Sequence, residues 1–397
     1  MVQGNQAKRR RKKTGHLLEW VKAIAPCLII ATIVLGTLRY FSDREKEVAV
    51  HFLRIVELLA HDSEVVRTGA VAAMEEFYEK YRDEASQVLA YHLATEKKAL
   101  VRRAILNVLE QAEVEAIEPL AAASRLLAEE NDWTVDSMKK SLEKNPLHDF
   151  RSDSFTENLS DIVTALATVL QKGGFPKDRE LDLSKVILVN QSSQGFITLD
   201  LRQANLEKAN LREACLITVS LEKANLREAK LVDTLLHNVD LTGASLEGAT
   251  LSPVWSGWVI LVGADLTDAR LAEAFLRGAD MKEAILVDAR LPRADLSGAN
   301  LTRANLQRAF LESATMEETI LDEANLAGAN LTEATLTDAL LKGAKMEGAT
   351  LKGADLRGAN LIGATFDPRD IKEAKNWEKA IFDDSQRQKL GLTKINQ

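Results

Sequence analysis

Two cysteines in 397 residues leave little room for disulfide or thiol chemistry. Cys27 sits in an apolar run near the N-terminus and Cys215 in a different region, so no intrachain disulfide is expected. The histidines, at 16, 51, 61, 92, 148 and 237, are scattered, and no Cys/His group has metal-ligand spacing. No metal or other cofactor is expected. A phosphate-cradling Gly-rich loop is missing too. Gly243-Ala244-Ser245-Leu246-Glu247 lacks the second glycine of a nucleophile elbow. With no nucleophile, base and orienting group in view, the sequence points away from an enzyme. Nor is there an excess of positive charge. The net charge of −8 and pI of about 5.5 give no sign of a nucleic-acid partner.

What is present is a repeat. Leu201, Leu206, Leu211, Leu216, Leu221, Leu226 and Leu231 open a five-residue series that runs to Leu351, Leu356, Leu361 and Phe366. Two residues before nearly every one lies a small residue, as at Ala204, Ala209, Ala359 and Ala364. A helix would space its apolar residues by three and four, a strand by two. Here the Ala and the Leu, two apart, share one side of an extended segment. The next pair comes three residues later, so the chain must turn a corner in each unit. Repeated corners wind it into a coil filled by Leu and Ala, and stacking buries what one unit cannot.

Ala299-Asn300-Leu301-Thr302-Arg303, Ala354-Asp355-Leu356-Arg357-Gly358 and Ala359-Asn360-Leu361-Ile362-Gly363 resemble the pentapeptide-repeat family. The resemblance implies a right-handed, four-sided β-solenoid with four pentapeptides per coil. About eight coils at about 4.8 Å would make a rod of about 40 Å. One segment departs from the pattern. Leu251-Ser252-Pro253-Val254-Trp255-Ser256-Gly257-Trp258-Val259-Ile260 puts Ser at a Leu position and adds Pro and two Trp. The phase survives it, so a locally distorted coil or bulge is expected, since Pro cannot donate to a strand ladder.

The fold class expected is therefore multidomain: an N-terminal transmembrane helix, an all-α domain, and a pentapeptide-repeat β-helix with a C-terminal helical cap. Residues 1–16 form a basic tail containing the run Lys8 to Lys13. Residues 17–41 hold the uncharged stretch Ala23 to Leu38 and read as a short single-pass anchor. The basic tail predicts a cytoplasmic N-terminus, with the remainder in a periplasm or lumen. Residues 43–172 show helical periodicity, with Asp62-Ser63 and Thr156-Glu157 as N-cap chemistry. Ser63 to Met74, echoed from Ala99 to Leu106, is similar to a HEAT-type helix. Residues 173–200 are a linker and first coil, 201–366 the solenoid and 367–397 the cap. The cap, with Asn376-Trp377-Glu378-Lys379-Ala380 and Leu390-Gly391-Leu392, is similar to the endings of cyanobacterial members of the family.

If residues 20 apart stack, the slot before each Leu reads Cys215, Leu235, Trp255, Phe275 on one face, then turns polar at Asp295. Trp258 would lie on the same side. Leu235, Trp255, Trp258 and Phe275 are thus a candidate partner-binding strip, or a surface packed by the helical domain. An acidic belt that includes Glu317, Glu318, Asp322 and Glu323 is a second candidate. The function expected is a membrane-anchored scaffold for an unknown protein partner, with a homodimer as one possible assembly. The resemblance offers two alternatives: a DNA mimic that binds topoisomerases, or an assembly factor for a membrane or photosynthetic complex. Against mimicry, residues 201–366 hold only 23 acids to 17 bases.

Overall fold

The computed structural model describes residues 51–52, 54–77, 82–96, 98–111, 116–130, 157–172, 181–192, 195–252, 254–257 and 259–392. They divide into two units, 1–123 and 124–397. The expected anchor at 17–41 and the tail before it lie outside the described residues. Among the described residues no helix is long and apolar enough to cross a membrane. The longest is 16 residues, against the roughly 20 that a hydrocarbon core requires. The expected single-pass localisation is corrected accordingly, since no described helix supports it.

In the first unit, α1 (Glu64–Phe77), α2 (Arg82–Thr95) and α3 (Ala99–Gln111) pack on one another. α1 begins directly after Ser63, where the cap chemistry placed it. Its apolar stripe buries Ala70, Val71 and Met74, and α3 buries Val101, Ile105, Val108 and Leu109. Arg67 of α1 reaches Glu96 at the end of α2 with a fork of two bonds, 2.6 and 3.1 Å. A third nitrogen donates to the His61 and Asp62 carbonyls. The pair is mostly shielded, at 13% and 8% side-chain exposure, so removing one partner would strand a charge.

His92 lies beside this pair. Burial pushes its imidazole down to about 4; Glu96 opposes that shift and Arg67 adds to it. An unfolded imidazole titrates near 6.5. Above that pH the group is neutral in both states. Below it only the unfolded chain takes the proton, so stability falls as the pH drops towards 4. The helical unit should lose about 2–3 kcal/mol over that interval, read as a falling melting temperature by circular dichroism. His92→Gln should flatten the pH dependence.

In the second unit, period five becomes a closed account of backbone donors. Asn305 N–H donates to the Ala284 carbonyl of the preceding coil (2.8 Å), and Leu306 N–H to Asn325 of the following one (2.7 Å). Arg308 N–H donates to Ala327 (3.0 Å), and Ala309 N–H turns back to Leu306 (3.1 Å). One donor per unit remains, on the residue after the Leu. Here Gln307 N–H is taken by the Asn305 side-chain oxygen (3.3 Å). Asp240, Asp265, Asp295, Asn300 and Asn330 do the same two residues on. Asn or Asp precedes the Leu for this reason: it closes the turn. The second turn residue has positive φ at unit after unit, between 52° and 72° from Lys185 to Gly363. Glycine takes this conformation freely, as at Gly328, while Arg308 and Asp338 hold it at a cost.

The paired residues are 20 apart, so four units make a coil. In the repeat's two inward slots, Leu, Met and Ala are buried from Leu201 to Leu361. The first coil is longer: Asp182 pairs with Asn210, 28 residues on. The extra residues form an antiparallel hairpin of β1 (Ile187–Ser192) with β2 (Gly195–Ile197). β1 and β3 (Leu199–Asp200) pair in parallel with β4 (Cys215–Ser220), then β5 (Thr234–Asp240) and β6 (Val254–Gly257) follow. Within the departure, Val254–Gly257 is a strand that keeps the register, with Ser256 opposite Leu236. Ser252 donates its hydroxyl to the Ala272 carbonyl.

Both ends of the ladder are closed by helices. α4 (Ile117–Glu130) brings Ser124, whose Oγ bonds both the N–H and carbonyl of Ile187, at 3.2 and 3.3 Å. Arg125 donates to the Asp182 and Ser184 carbonyls, and α5 (Glu157–Lys172) packs along β1. At the other end, Pro368 opens α6 (Pro368–Lys372) at its first turn rather than merely ending the repeat. α7 (Asp384–Leu390) carries a capping box between Asp383 and Gln386 and ends at Gly391.

Candidate functional site

The inward positions and the backbone are consumed by the coil. Chemistry directed at a partner is left to three outward residues per unit: the slot before the Leu and the two turn residues. These stack every twentieth residue into four faces and four corners.

The face beginning at Cys215 has the register expected of it. Cys215 pairs with Leu235, Leu235 with Trp255, Phe275 with Asp295, then Thr315, Thr335 and Asp355. Leu235 and Phe275 differ in their surroundings. Leu235 is buried, as are Cys215 and Ile217, so it offers nothing to a partner in this structure. Burial pushes the Cys215 thiol up to about 12, which leaves it a packing group. Phe275 is 39% exposed. Trp255 has its backbone in β6, and Trp258 lies outside the described residues.

The acidic belt, contiguous in sequence, is dispersed in space. Glu317 and Glu318 occupy one corner, Asp322 and Glu323 the next. Glu323 is also committed: Arg303 bonds it at 3.0 Å and reaches Glu283 at 3.6 Å on the other side. Asp322 accepts the Lys342 backbone N–H. Opposite charges recur in this way along the corners. Arg293 meets Glu273, and Arg308 meets Asp288, holding that carboxyl below the usual range.

The face beginning at Asn210 was not singled out by the sequence pattern. In register it reads Asn210, Lys230, Thr250, Arg270, Arg290, Phe310, Asn330, Thr350. Arg270, Arg290 and Phe310 are exposed, and the Arg290 guanidinium sits 5.5 Å from the centre of the Phe310 ring. Reading the slot before each Leu every twentieth residue on all four faces, rather than one, reveals it.

The family model for pentapeptide repeats matches in eight copies, over residues 199–222, 220–252, 260–298, 299–338 and 334–367. The chain belongs to the pentapeptide-repeat family. The unmatched 253–259 contains β6. Among solved structures, the chain is similar to HetL, a pentapeptide-repeat protein involved in heterocyst differentiation regulation from the cyanobacterium Nostoc. Identity is 30%, over 52% of this chain and 88% of HetL, with a TM-score of 0.23. Rfr23, from the cyanobacterium Cyanothece, is 32% identical over 30% of this chain and 64% of its own, with a TM-score of 0.15. QnrB1, a plasmid-mediated fluoroquinolone resistance protein, is 19% identical over 45% of this chain and 95% of its own, at 0.26. No curated protein matches the chain.

Proposed function

We propose that this pentapeptide-repeat chain is a non-catalytic scaffold that binds a protein partner on the outward faces of its solenoid. The observation that carries this reading is the choice of outward residue. Asn or Asp before the Leu closes the turn, yet Ile260, Phe275, Ile285, Phe310 and Leu340 stand in that slot and are exposed. None has a side-chain oxygen to offer the turn, and each presents apolar surface to water. Residues that break a local rule at the surface mark a site better than residues that obey it. The corner ladders about Arg293, Arg303 and Arg308 speak against DNA mimicry there, because they match their carboxylates with arginines rather than display them.

Capture of the intact tagged chain after cross-linking in its own cells tests this. One protein should be enriched at least about tenfold, a 1.4 kcal/mol preference, and should re-form the complex when both are purified. Enrichment of no protein would sink the scaffold reading.

A further inference from the structure

Along the corners the solenoid stacks opposite charges: Glu273 with Arg293, Asp288 with Arg308, and Glu283 and Glu323 about Arg303. On the face beginning at Asn210 it does the reverse. Arg270 lies directly against Arg290, and Arg290 against Phe310. Like charges opposite each other on neighbouring strands destabilise a sheet. Among the described residues no carboxylate pairs with either arginine, because Asp288 and Glu273 are held by Arg308 and Arg293. Arg270 and Phe310 also give up the turn-closing bond that Asn and Asp make elsewhere. Two exposed guanidiniums and an exposed ring are thus held in line at a cost to the fold.

We propose that the strip from Arg270 to Phe310 docks an acidic segment of a protein partner, Arg270 and Arg290 taking carboxylates and Phe310 an apolar side chain. This rests on the scaffold reading above. Neighbouring coils lie about 4.8 Å apart, close to the roughly 5–6 Å between residues i and i+4 on a helix. A helix bearing two such carboxylates and a nearby apolar residue therefore fits the spacing. The strip favours a short acidic peptide over nucleic acid. Asp268 precedes Arg270 by two residues, and Glu312 follows Phe310 by two. A continuous phosphate backbone would run into these acids.

The test is fluorescence anisotropy with the full chain. One probe is a labelled helical peptide of about 16 residues carrying Glu at i and i+4 with one Phe beside them. The other is a short duplex DNA, titrated at the same ionic strength. The peptide should bind more tightly than the DNA, and Arg290→Glu should weaken it at least about tenfold. The same substitution turns a like-charge stack into an opposite-charge one. Its melting temperature should hold or rise by about 1–3 °C, which separates lost binding from lost folding. No peptide binding, equal binding by the variant, or tighter binding of the DNA would overturn the proposal. Capture distinguishes the two levels of the account. A partner retained by Arg290→Glu but lost by Phe275→Asp leaves the scaffold reading intact and removes this strip. If the chain captures no partner, the scaffold reading falls first.

Discussion

Leu306→Ala should lower the melting temperature of the solenoid by about 6–12 °C, the equivalent of about 3 kcal/mol. Leu306 is fully buried, its neighbours inside the coil are other Leu and Ala side chains, and its backbone is bonded to the coils on both sides. Such a site cannot collapse around a cavity without breaking a ladder. Each coil touches only its neighbours, so the damage should stay local. Hydrogen exchange should quicken first around residues 286, 306 and 326. Two controls bound the effect. Met281, Met316 and Met346 already occupy Leu positions, fully buried, so Leu306→Met should cost under about 1.5 kcal/mol. Asn305→Ala, on the surface, should cost no more than about 1 kcal/mol, the worth of one turn-closing bond. A Leu306→Ala loss below about 2 °C would mean that the inward series does not form the core.

Gln386→Leu should cost about 2–4 kcal/mol and fray the last coil. Gln386 is a buried polar residue at the C-terminal end of the ladder. Its amide nitrogen donates to the Leu361 and Ala364 carbonyls, at 2.7 and 2.8 Å, where no further coil exists to do so. Its oxygen accepts the Asp383 N–H at 2.8 Å, within the capping box of α7. Leucine fills the volume and leaves these groups without their partner. Gln386→Glu is the sharper variant. A carboxylate there would face two carbonyl oxygens, so the fold accepts only the protonated form and raises the pKa of that carboxyl. An unfolded Glu titrates near 4.3. Below that pH both states are protonated and the penalty is small; it grows as the pH rises through neutrality. Gln386→Glu should therefore be much less stable at pH 7 than at pH 5, while Gln386→Leu should show no such dependence. Equal stability of wild type and both variants would show that the cap does not close the ladder.

Much of the solenoid was legible because one residue type per slot follows from one physical demand. Leu fills the coil, Ala leaves room for the chain to turn, and Asn or Asp takes the one unpaired backbone donor. That is why the register could be carried through 251–260 despite Pro253 and two Trp, and why Cys215, Leu235, Trp255 and Phe275 stack as their spacing implies. Three things were not legible. The lengthened first coil breaks the 20-residue pairing with a hairpin that carries no repeat signature. Leu235 is buried where Phe275, in the same slot two coils on, is exposed, a difference that periodicity within the repeat does not encode. The acidic belt looked like one patch because five-residue neighbours were read along a line, whereas each step of five turns a corner. The anchor inference relied on composition alone, with no periodic pattern to support it.

Residue-specific photo-cross-linking of the intact chain to its captured partner tests the central claim most directly. A benzophenone side chain would replace, one at a time, outward residues on all four faces, among them Asn305, Phe310, Thr335 and Leu340. The account predicts adducts to a single protein that recur at residues 20 apart on one face, with Phe310 among the strongest sites, and little on the others. Adducts spread evenly over all faces, or none on the solenoid at all, would contradict a scaffold that binds through a face of the coil.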